Sequence, residues 1–178
     1  MIIKFQIMRV VNVSKEVCLW NTWDHEHLFF VHKQFTNCKL IYENESQAII
    51  QTKMNVPFTP FYFNSIHTMN SLKNEDVLVV DTMPFGIIAK VLMEYKEITK
   101  TKTKLINTYE LEMPIYLKPF KSLFIRLIKK WNDTNWDEDM PLKLRRMKAQ
   151  NLGFVDFYGV SRDKKNQKNQ KNQKNLKK

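Results

Sequence analysis

The chain has 178 residues, 43% hydrophobic and 26% charged, with a formal net charge of +11. That length suits one domain with a substantial core, and three glycines are too few to write a dinucleotide or Walker fingerprint. Two cysteines exclude a disulfide framework and a four-cysteine zinc site and suit a reducing, cytoplasmic compartment, while no apolar run is long enough for a membrane span or a signal peptide.

Residues 2–13 are apolar and β-branched in a strand-like pattern. Ser14 is a candidate helix cap for a helical stretch that runs to Phe35 and is rich in Trp and His. Residues 40–56 read as a strand pair around a polar turn at Glu43–Gln47. From Thr59 to Met69 the pattern alternates. Phe61, Phe63, Ser65, His67 and Met69 share one face of that strand, and Tyr62, Asn64, Ile66 and Thr68 the other. Residues 77–81 form a short apolar strand. Residues 90–99 and 102–113 read as a hairpin around Lys100 and Thr101, and Pro114 and Pro119 end the strand run.

From Pro119 the period changes. Phe120, Leu123, Phe124, Leu127, Ile128 and Trp131 make a helical stripe. It is flanked by Lys118, Lys121, Arg126, Lys129 and Lys130, which suit either a core-packed helix with snorkelling lysines or a membrane-surface helix. Residues 132–135 are expected to interrupt the helix. A second helical stretch follows with Trp136, Met140, Leu144 and Met147 on one side, Pro141 implying a start or kink and Gly153 a C-cap. Residues 161–178 hold seven lysines and Arg162 against Asp163, so +7 of the +11 lies there. This Lys-Asn-Gln tail has nothing to bury and is expected to be disordered. It reads as a solvated tail or a weak tether to phosphate or acidic surfaces, with no specific nucleic-acid partner.

Strand, helical segment, five or six strands and a long C-terminal helix argue for an α+β domain over residues 1–160, with an antiparallel sheet wrapped around the last helix. This order resembles the START-like, helix-grip superfamily of ligand-binding and cyclase domains. That resemblance implies a cavity between sheet and helix. Phe61, Phe63, His67 and Met69 are its expected wall.

Three of the four histidines lie between positions 25 and 32, in the run Asp24-His25-Glu26-His27-Leu28-Phe29-Phe30-Val31-His32. Asp24, His27 and His32 are spaced D-x2-H-x4-H. Two imidazoles and a carboxylate on one face of Fe(II) leave open positions for oxygen and substrate. His27 and His32 are five residues apart, about 140° on a regular helix, so they converge only where the helix breaks. The motif resembles the mononuclear-iron site of the Rieske non-haem iron oxygenases, whose catalytic domain has the helix-grip fold. The resemblance implies His27, His32 and Asp139 as Fe(II) ligands and Asp24 as a catalytic residue that orients a ligating histidine. The sequence departs from that family in carrying no iron–sulfur cluster, so electrons require a separate donor. Two further readings use the same cavity: a metal-free carrier of a hydrophobic ligand, and a cyclase with His or Asp as general acid or base.

Overall fold

The computed structural model describes residues 1–25, 27–55 and 61–152. The expected C-cap at Gly153, the end of the domain and the tail at 161–178 lie outside the described residues.

Ten strand residues, β1 (Ile2–Val11), precede two short helices, α1 (Lys15–Trp23) and α2 (His27–Val31). Six strands follow: β2 (Phe35–Glu43), β3 (Gln47–Asn55), β4 (Tyr62–Ser71), β5 (Val77–Met83), β6 (Ile87–Thr99) and β7 (Lys102–Glu112). The long helix α3 (Lys121–Asn151) closes the described chain. All seven strands form one antiparallel sheet in the order β1-β7-β6-β5-β4-β3-β2. β1 pairs with β7 from Ile2↔Glu112 to Val11↔Thr103, so the first strand completes a sheet whose other members follow in sequence.

Strand geometry sends successive side chains to opposite faces, and β3 shows a packed face and a wet one most plainly. In β3, Ala48, Ile50, Thr52 and Met54 are buried, with Gln51 and Lys53 between them facing out. Ser14 caps α1, its hydroxyl accepting from the Val17 amide at 3.3 Å. Such a cap contributes about 1 kcal/mol. The core fills the concave side of the sheet, where Val17, Cys18 and Trp23 of α1 meet Ile50, Val77, Leu105 and Trp136. Trp136, Met140 and Met147 pack there as their spacing predicts, whereas Leu144 is exposed.

Three expectations are corrected. The helix is continuous through residues 132–135 and across Pro141. The asparagines that weaken local propensity are held from other elements. Asn132 Oδ1 accepts from Asn107 Nδ2 at 2.7 Å and from the Tyr109 hydroxyl at 2.8 Å, and Asn135 accepts from Gln34. These tertiary bonds outweigh a deficit of a few tenths of a kcal/mol per residue. The stripe from Phe120 is only partly a core stripe: Ile128 is buried, but Phe120 and Leu123 are exposed. Phe61 precedes β4 and is 69% exposed, so it does not line the cavity.

An antiparallel meander sends alternate connections to opposite ends. The β3–β4, β5–β6 and β7–α3 connections share one end with the start of β2. The β2–β3, β4–β5 and β6–β7 connections share the other.

Candidate metal centre and ligand cavity

A cavity of about 230 Å³ lies between the concave face of the sheet and α3. Ile50, Met54, Phe63, Met69, Val79 and Val91 give it an apolar wall, to which His67 is added as expected. His27, His32, Asp139 and Lys143 line it as well, and all four are buried.

The helix ends that let the two histidines meet are local. α1 ends at Trp23, with the Asp24 amide bonded to the Trp20 carbonyl. α2 begins at His27 and ends at Val31, so His32 already lies past the helix. Their rings stand edge to face, 5.2 Å between centroids. One ligand atom from each of His27, His32 and Asp139 falls within 4.8 Å of the others. Asp139 Oδ1 is 3.3 Å from His27 Nε2 and 3.2 Å from His32 Nε2. Ligand atoms at right angles around an ion, each about 2.1 Å from it, stand about 3.0 Å apart.

The angles sharpen this. Asp139 Oδ1 is buried and aligned with no hydrogen-bond donor, despite two ring nitrogens beside it. The three atoms surround a common point, and no hydrogen bond joins Oδ1 to either ring. Each ring is fixed from its other side. His27 Nδ1 donates to the Asp24 carbonyl, and His32 Nδ1 donates to Glu138 Oε2 at 3.1 Å. With a proton at each Nδ1, each Nε2 is the ring atom left to bind at the common point. Lys143 donates to Asp139 Oδ2 at 3.0 Å, one turn along α3, and leaves Oδ1 to that point. The residues present therefore fit a 2-His-1-carboxylate metal site.

The Asp24 carboxylate does not orient a histidine. It pairs with Arg146, which also donates to Asn21 Oδ1 at 2.7 Å and lies over the Trp20 ring at 4.7 Å. Only the Asp24 backbone carbonyl holds His27. Asn21 Nδ2 lies 3.4 Å from His27 Nε2. Glu138, Lys143, Arg146 and Asn21 thus belong to the site's surroundings. Lys143 had a legible signal, its i,i+4 spacing from Asp139. A second polar group sits in the apolar wall. His67 Nδ1 is 2.5 Å from Asp81 Oδ1, and its Nε2 is 2.6 Å from Thr52 Oγ1. Asp81 enters by register alone, directly across β4 and β5 from His67.

Burial would raise the Asp139 carboxyl, but His27, His32 and Lys143 outweigh it and hold the group far below the usual carboxylate range. Burial lowers His32, yet Asp139 and Glu138 outweigh it and push the imidazole up. Burial pushes the Cys18 thiol up to about 11, in keeping with its place in the core.

His25 is buried with neither ring nitrogen hydrogen-bonded and Glu43 Oε1 3.7 Å from Nε2, and burial, assisted by His27, lowers it to about 4. A depressed imidazole stays neutral in the fold while the unfolded chain protonates near pH 6.5. Its contribution is therefore present above pH 6.5 and lost as pH falls toward 4, by about 3 kcal/mol. Urea unfolding at stepped pH should show that loss in the parent and not in His25→Leu. An equal acid limb in both would place the titrating group elsewhere.

No protein-family model matches the sequence, and no curated protein matches it. Among solved structures, the chain is similar to the Zhui aromatase/cyclase from Streptomyces sp. R1128, with TM-score 0.71 and 7% identity over 82% of this chain and 96% of that one. It is similar to the di-domain aromatase/cyclase StfQ of the steffimycin biosynthetic pathway, with TM-score 0.71 and 7% identity over 82% of this chain and 52% of that one. It is also similar to norcoclaurine synthase from Thalictrum flavum, solved with dopamine and hydroxybenzaldehyde, with TM-score 0.62 and 12% identity over 82% and 88% of the two chains. At such identities the likeness defines the fold. The chain has the helix-grip architecture, a curved seven-stranded antiparallel sheet around a long C-terminal helix.

Proposed function

We propose that this chain binds an apolar small molecule in the helix-grip cavity, next to a single divalent metal held by His27, His32 and Asp139. The observation that carries the metal is Asp139 Oδ1, buried between two imidazole Nε2 atoms at 3.3 and 3.2 Å and aligned with neither. The donor set is the one that suits Fe(II) with open positions. Bound there, Fe(II) would supply oxygen-binding and redox chemistry, with electrons from a separate protein.

The chain's own residues set the conditions. Glu138 and the Asp24 carbonyl fix the two rings, and Lys143 holds the second carboxylate oxygen. Ile50, Phe63, Met69 and Val79 exclude water and favour an aromatic ligand. Asp81, positioned through His67, offers a polar anchor in the cavity wall.

A second reading rests on the solved structures. Aromatase/cyclases and norcoclaurine synthase share the architecture, which supports a cyclase or carrier that works in this cavity without metal. There, His67 and Asp81 supply the acid and base. Anaerobic reconstitution with Fe(II), metal analysis by mass spectrometry and titration with 2-naphthol separate the two. The metal reading expects about one iron per chain and weaker naphthol binding after chelation. A chain that takes up no iron and binds naphthol equally with and without chelator is a carrier or cyclase.

A further inference from the structure

The two ends of the sheet differ in chemistry. Connections 44–46, 72–76 and 100–101 carry Glu45, Glu75 and Asp76 alongside Lys73 and Lys100, and Leu72 is their one exposed large apolar residue. At the opposite end, the described connections carry no acidic residue. Instead they expose Phe85 at 70%, Ile115 at 69%, Tyr116 at 63% and Phe120 at 52%, with Leu123 following on α3. Residues 113–132, from the end of β7 into α3, hold five basic residues and no acid; Glu112 is the acid adjoining them. Lys118 and Lys121 lie directly among the exposed aromatics.

These side chains are presented by built features. Phe85 has φ 64°, uncommon for a residue with a bulky side chain, and nothing buries its ring in return. The Tyr116 hydroxyl donates to the Phe85 carbonyl at 3.1 Å and ties two connections into one rim. The cavity reaches this end, since Met54, Phe63 and Met83 of its wall are the strand residues next to these connections.

We propose that this end docks on an anionic lipid bilayer, with Phe85, Ile115, Tyr116 and Phe120 at the interface and Lys118 and Lys121 on the headgroups. Aromatic rings flanked by lysine are the composition that lies in a membrane surface, and interspersed cations select the negative leaflet. None of the described helices is long and apolar enough to cross a membrane, so the association is peripheral. Docking does not depend on the metal. Its use, loading the cavity with a ligand dissolved in the bilayer, rests on the ligand-binding reading above.

The test separates the rim from the basic tail, which is present in every variant. Full-length parent and Phe85→Asn/Phe120→Ser are sedimented with vesicles of phosphatidylcholine, with and without about 30% phosphatidylserine, at about 150 mM salt. The parent should partition onto the anionic vesicles, and the double variant should lose about tenfold or more in partition coefficient. Its melting temperature should be unchanged, because both rings are exposed and asparagine tolerates the Phe85 backbone. Equal binding by both proteins would assign adsorption to the tail's charge and overturn the proposal, as would no binding by the parent. A parent that is dimeric by light scattering, with the double variant monomeric, would also overturn it, by making this end a contact between copies.

Discussion

His27→Ala and His32→Ala should each lower bound iron from about one ion per chain to less than about a tenth. Removing one of three ligands leaves two, too few to compete with water for a divalent ion at micromolar concentration. The surrounding groups should grade the effect by what they touch. Glu138→Gln loses the carboxylate that accepts from His32 Nδ1 and should weaken binding about 10- to 100-fold. Asp24→Asn should leave metal affinity within a few-fold, because the backbone carbonyl, which survives the substitution, holds His27. Its effect falls instead on the partly exposed pair with Arg146. A dye-competition titration of the four variants, with circular dichroism to confirm folding, checks the ranking. Metal affinity that drops as far in Asp24→Asn as in His32→Ala would restore the Asp24 side chain to the site and refute the assignment made from the geometry.

How far the sequence reached depends on whether a feature is local. Alternation along β4 placed Phe63, His67 and Met69 on the cavity side, because period-two patterning is a property of consecutive residues. The spacing of His27 and His32 pointed to a broken helix, and the break lies where α2 ends at Val31. Asp139 turned inward with Trp136 and Met140 by helical spacing alone. What failed was set by distant partners. Phe61 continued the alternation in sequence but fell before the first residue of β4. Residues 132–135 looked like a break because Asn107, Tyr109 and Gln34, which hold their amides, lie in other elements. The Asp24 carboxylate was claimed by Arg146, 122 residues away. The first turn of the Phe120 stripe was indistinguishable from a core stripe, since periodicity reports a common face and not what covers it.

The largest stability effect should come from Asp139, and it should be conditional on Lys143. In the metal-free chain, Asp139→Ala leaves the Lys143 ammonium, 5% exposed, without its partner at 3.0 Å. Removing one member of a buried ion pair costs about 3–5 kcal/mol, mostly the desolvation of the charge left behind. Asp139→Leu combined with Lys143→Met removes both charges and keeps the volume apolar, so it should restore most of that loss, to within about 1–2 kcal/mol of the parent. Lys143→Met alone should cost less than Asp139→Ala, because the carboxylate still faces His27 and His32 and the raised affinity of His32 for a proton offsets the missing cation. That compensation weakens as pH rises. A raised imidazole contributes fully below pH 6.5 and is lost through its higher folded value, so Lys143→Met should become relatively less stable in alkaline solution. Neither variant lacking Asp139 should hold iron, and the folded double variant supplies the control that a collapsed single variant cannot. Urea unfolding of the three variants at pH 6 and pH 9 measures every term. Equal stability of Asp139→Ala and the double variant would mean that Lys143 reaches solvent through the cavity, and that the carboxylate is held for the metal alone.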